Sequence, residues 1–134
     1  MLVGTADPAQ LAGNAATLSA FHPDAIEFAD TVCLQLTAEM RNAARESQVP
    51  PGLHPTIPAA LSVQAYDVGN SPWGSFRMAT VRVSCRSGVR ARGFTRASVV
   101  SSEQACQGLR DALGFPRVTA RCCSATATMA CLSA

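Results

Sequence analysis

The sequence contains no lysine, and all eleven of its basic residues are arginine. No side chain in it can therefore form a lysine Schiff base. GC-rich coding accounts for such a bias, and arginine is also the better fork for a carboxylate or a phosphate. The charge has no strong sign either: eleven basic residues stand against nine acidic ones, for a net charge of +2. That is too close to balance to mark a nucleic-acid partner. No run reaches the roughly 18 to 20 apolar residues of a membrane helix. The N-terminus has no basic segment followed by an apolar run. The expectation is a soluble cytoplasmic protein with no membrane partner.

Metal and cofactor chemistry is also poorly supplied. The two histidines, His22 and His54, each precede a proline, and the six cysteines include no Cys-x-x-Cys pair. Neither a zinc site nor a resident cofactor is expected. Without a signal peptide the cysteines do not read as a secreted disulfide framework.

With 134 residues, the chain has enough length for one domain with a modest core. Residues 1–30 mix small and polar residues without a period and read as a loosely ordered lead-in with one short strand. From Thr31, TVCLQLT alternates Val32, Leu34 and Leu36 with Cys33, Gln35 and Thr37, the pattern of a half-buried strand. AEMRNAARESQ predicts a helix, ended by a connector rich in proline. LSVQAYDV alternates again. In SFRMATVRVSC the apolar side passes from Phe76 and Met78 to Val81 and Val83, which predicts a bulge near Ala79 or Thr80. An RSG turn at 86–88 then returns the chain into VRARGFTRASVV, where parity places Arg90, Arg92, Phe94 and Arg96 on one face. SSEQACQGLRDALGF predicts a helix with Ser101 and Gln104 as a capping box and Gly114 as its C-terminal glycine.

VPPGL at 49–53 and EQACQGLRDALGFP at 103–116 carry a resemblance to the acetoacetate decarboxylase family, whose first helix is followed by Val-Pro-x-x-Leu and which has a Leu-Gly-Tyr/Phe-Pro motif. The resemblance implies a mainly β, α+β fold: a curved antiparallel sheet forming part of a barrel, with two flanking helices. It covers 31–116, as an incomplete barrel. The lysine pair that the family keeps just before its Leu-Gly-Tyr/Phe-Pro motif falls here on Asp111 and Ala112. The family's acidic residues have Gln64 and Met78 at the closest positions. The resemblance thus implies a retained cavity without Schiff-base decarboxylation. Residues 117–134 form an unpatterned tail, which GC-rich codons also allow as an out-of-frame reading.

The candidate ligand-binding residues are Arg90, Arg92 and Arg96, which can hold a carboxylate by charge-assisted hydrogen bonds, with Phe94, Trp73 and Tyr66 as walls or donors. On an edge strand the same arginines serve equally as charges that discourage aggregation, and a lone tryptophan equally caps a core. Asp111 is a candidate acid or base, or else an exposed helix carboxylate. Three readings remain open. The chain is a module binding a small carboxylate or keto acid; or a family enzyme with acid–base chemistry at Asp111 or Tyr66; or a truncated product or subunit completed by a partner chain, including a homo-oligomer joined through open sheet edges.

Overall fold

The computed structural model of the chain describes residues 3–13 and 25–115. The element order is α1 (Pro8–Ala12), β1 (Ala29–Glu39), α2 (Asn42–Glu46), β2 (His54–Pro55), β3 (Ala60–Asn70), β4 (Phe76–Ser87), β5 (Arg90–Val100) and α3 (Glu103–Leu113). The strands make one antiparallel sheet in which β1 pairs with β3, β3 with β4, and β4 with β5. The two-residue β2 pairs with Cys85 and Arg86 of β4, on the edge that β3 leaves free. The sheet is open: among the described residues, β1 and β5 each pair along one edge only. The tail from 117, with Cys122 and Cys123, lies outside the described residues, and so does His22.

The β4–β5 hairpin follows from local chemistry. Gly88 sits at φ 60° in the turn between β4 and β5, a conformation that glycine adopts without steric cost. α3 begins one residue later than its capping-box pattern predicts. Ser102 is the N-cap and accepts from the Ala105 N–H at 3.4 Å. Ser101 is drawn away because its hydroxyl accepts from the Arg77 N–H of β4 at 2.9 Å. The helix ends at Gly114 (φ 66°) as the sequence predicts, with its N–H bonded to the Arg110 carbonyl.

The helix predicted from AEMRNAARESQ shrinks to the five residues of α2, because Ala38 and Glu39 extend β1 and pair with Leu61 and Ala60. Ladder hydrogen bonds with β3 outweigh helix propensity there. Part of the lead-in is also tied down. The N–H groups of Gly4, Thr5 and Ala6 donate to the carbonyls of Leu53, Glu46 and Val49.

The bulge predicted near Ala79 or Thr80 is absent. β4 pairs with β3 without interruption from Phe76 to Val83. The apolar side changes because different layers cover opposite faces at opposite ends of the strand. On one face, Phe76 and Met78 join Val68 and Val100 beneath Ala105, Cys106 and Leu109 of α3. On the other face, Val83 and Cys85 pack with Val49 after α2, along with Leu53, Leu61 and Phe94. The irregularity lies in β5, where Val81 pairs with Ala97 but Arg82 with Thr95, so Arg96 is the extra residue.

Candidate binding cleft

The face of the sheet under α3 changes character along its length. Its rungs, read from the register, are Val68 and Phe76; Tyr66, Met78 and Val100; Gln64, Thr80 and Ser98; then Ser62, Arg82 and Thr95. α3 seals the apolar end with Leu109, which is 0% exposed. The polar rungs lie beyond that cluster. Thr80 and Ser98 are buried, and neither hydroxyl has a hydrogen-bond partner among the described residues.

A cleft of about 710 Å3 opens beside the β5 bulge, where Arg82 and Thr95 of this face, Phe94 of the opposite face and Pro50 and Pro51 after α2 all reach it. Arg82, Phe94, Thr95 and Arg96 line its sheet side, Asp7 and Gln10 of the α1 segment stand across it, and Leu113 to Phe115 close one end. Two local features bring the arginines there. The Arg82 stem lies against Gly93 across the β4–β5 pair, where an added Cβ would stand 3.2 Å from Arg82 Cδ. Arg96, displaced by the bulge, turns out of the alternation it would otherwise share with Arg90 and Arg92.

The Nε atoms of Arg82 and Arg96 are buried without a hydrogen-bond partner among the described residues. The ion pairs among the described residues are Arg45 with Glu46 and Arg77 with Asp67, so neither cleft arginine is neutralised by one. Asp7, the carboxylate in the cleft, is engaged as the α1 N-cap and accepts from the Ala9 N–H at 2.9 Å.

The other sequence candidates lie elsewhere. Arg90 and Arg92 are exposed near the hairpin end of β5, and Arg92 Nη1 donates to the Ala91 carbonyl at 3.4 Å. Trp73 belongs to the cluster under α3: its indole covers Gly108, where a Cβ would run into the ring, and it packs against Phe28 at a centroid distance of 6.0 Å. Tyr66 shares the sheet face but does not line the cleft; its hydroxyl donates to Gln64 Oε1 at 3.1 Å. Burial pushes the Tyr66 phenol above its ordinary value, the Cys33 thiol adds to this, and the Arg82 charge partly offsets it. Asp111 is exposed on α3 and accepts both of its oxygens' bonds from Gln107 Nε2, at 2.8 and 3.0 Å. His54 lies in the two-residue strand β2.

Arg82, Thr80 and Ser98 escaped sequence reasoning. A usable signal was present in Arg82, a cation in the middle of a long alternating strand with the parity of Phe76 and Met78. Arg45 carried no signal: it is 0% exposed in α2, with no hydrogen bond to its guanidinium and Glu46 Oε1 3.9 Å away. Among the described residues no group of histidine, cysteine and acidic side chains could hold a metal ion. None of the described helices is long and apolar enough to cross a membrane.

No family model and no curated protein matches the chain. Solved structures similar to part of it include two enzymes. An acetoacetate decarboxylase-like enzyme from Sphingomonas wittichii RW1 has a TM-score of 0.45 and 17% identity over 56% of this chain and 34% of that one. The enduracididine biosynthesis enzyme MppR, complexed with the condensation product of pyruvate and imidazole 4-carboxaldehyde, has a TM-score of 0.49 and 15% identity over 59% of this chain and 34% of that one. The chain thus spans about a third of the length of each.

Proposed function

We propose that the chain binds a small carboxylate or keto acid in the cleft through Arg82 and Arg96, without a lysine Schiff base. The observation that carries this reading is the pair of guanidinium groups lining one cleft, each with a buried Nε that no group among the described residues satisfies. A buried donor left unpaired costs about 1–3 kcal/mol. A carboxylate accepts two parallel N–H bonds from such a group and neutralises its charge. Phe94 and Leu113 supply apolar walls for a short carbon skeleton. The reading shifts the anion-binding role from Arg90 and Arg92 to Arg82, and keeps Arg96 and Phe94.

Acid–base catalysis at Asp111 draws no support from its surroundings, because its carboxylate is exposed and bound by Gln107. A cytoplasmic location fits this reading, since Cys33, Cys85 and Cys106 are free thiols, the usual state in a reducing compartment.

Thermal unfolding of the purified chain with and without millimolar acetoacetate, acetylacetone or pyruvate tests the proposal. A carboxylate ligand should raise the transition, and neutral acetylacetone should not. Arg96→Ala should weaken carboxylate binding by about 1.5–3 kcal/mol, the range for hydrogen bonds to charged groups. Equal binding by Arg82→Ala, Arg96→Ala and the parent chain would remove the cleft from the account.

A further inference from the structure

β1 is an eleven-residue strand in which every residue is exposed. Val32, Leu34 and Leu36 are 71%, 60% and 62% exposed and share one face, on which the register continues through Val63 and Ala65 to Val81 and Ala79. Its outer edge is unpaired among the described residues. Long apolar edges are ordinarily blunted by a lysine, a proline or a bulge. β1 has neither lysine nor proline, and its pairing with β3 is regular from Thr31 to Glu39.

The sequence of this edge is nearly the same read in either direction. Thr31-Val32-Cys33-Leu34-Gln35-Leu36-Thr37 is symmetric about Leu34 in its threonines and in its branched apolar residues. A two-fold axis at Leu34 sets each residue of an antiparallel pair opposite its mirror position, so in this strand threonine meets threonine and branched apolar residues meet branched apolar residues.

We propose that β1 pairs antiparallel with β1 of a second copy of this chain, about a two-fold axis at Leu34, joining the two sheets edge to edge. Thr31 then stands opposite the partner's Thr37, Val32 opposite the partner's Leu36, and Leu34 opposite the partner's Leu34. The apolar row becomes a continuous cross-strand cluster. The acidic ends do not collide: Asp30 meets the partner's Ala38, and Ala29 meets the partner's Glu39. Main-chain groups of the open edge accept any extended strand, and a second copy is the one whose side chains match the apolar and threonine rows rung by rung. The pairing is independent of what the cleft binds.

Light scattering on the full chain across a concentration series, combined with two variants, reads the proposal. The parent chain should form a dimer. Leu34→Arg, which sets two cations opposite each other, should weaken the dimer at least tenfold, while Val99→Arg, on β5 and away from this edge, should leave it intact. Circular dichroism of Leu34→Arg confirms that its monomer is folded. A second measurement needs no variant of the apolar row. Cys33 would stand diagonal to the partner's Cys33, at about 7–8 Å for such neighbours, so a short bismaleimide should link two copies, and Cys33→Ser should abolish the link. A chain that stays monomeric, a dimer indifferent to Leu34→Arg, or equal dissociation by Val99→Arg would overturn the proposal.

Discussion

β1 and β4 flank the same strand, differ by one residue in length, and both alternate apolar with polar side chains, yet they meet opposite fates. Every residue of β1 is exposed, while β4 buries Phe76, Met78 and Thr80 on one face and Val83 and Cys85 on the other. Alternation identifies a strand and sorts its side chains into two sets. It does not say what will cover either set. β4 is covered twice because it lies between β3 and β5 and because α3 and the segment after α2 reach its two ends from opposite sides. No comparable layer lies over β1 among the described residues.

The sharpest test of that contrast compares two leucines. Leu109→Ala, under the α3 layer, should lower stability by about 2–5 kcal/mol in urea unfolding, the range for a buried leucine that leaves a cavity. Leu34→Ala should change it by less than about 0.5 kcal/mol at dilutions where the chain is monomeric. Equal losses would mean that β1 is covered in the single chain, and the contrast would fail.

Burial can also work against stability. Arg45 is enclosed beside the second cluster with no hydrogen bond to its guanidinium. Arg45→Met should therefore stabilise the chain by about 1–4 kcal/mol, as replacement of buried charges by apolar residues often does. A loss of stability instead would show that the Glu46 carboxylate, 3.9 Å from Arg45 Nη2, more than offsets the burial of the charge.

The smallest effect concerns thiols. Burial pushes the Cys85 thiol up, against weaker opposing contributions from its backbone hydrogen bond and from Arg92, and burial also raises Cys106, with Glu103 adding to the shift. The folded chain thus holds these thiols neutral while the unfolded chain ionises them near the ordinary value of 9.0. Their contribution is complete below that value and should decline as pH rises through and above it. Iodoacetamide at pH 8 should accordingly label Cys33 of β1 well before Cys85 of β4. Labelling at matched rates would indicate that β4 opens as readily as β1.

Much of the fold was legible from one sequence. Four long strands and the hairpin turn at 86–88 follow from alternation and turn residues, and α3 follows from its apolar stripe, cap and Gly114. The extent of α2 was not, because Ala38 and Glu39 have helical propensity but a strand partner in β3. The cleft was half legible. Arg96 and Phe94 stood out in a cationic strand, but the alternation that grouped them with Arg90 and Arg92 is broken by a bulge. Arg82 reaches the same cleft from another strand, and a linear pattern does not show which strands become neighbours.

The sequence alone determined that lysine chemistry is absent, that the chain is built on alternating strands, and that one well-capped helix follows them. These are properties of composition and of neighbours within a few residues. Only the tertiary structure decided which faces are buried, that Arg82 and Arg96 meet in one cleft, and that β1 is left open. Burial and side-chain convergence depend on contacts between segments far apart in the chain, and a periodic pattern specifies the surface to be covered without specifying the cover.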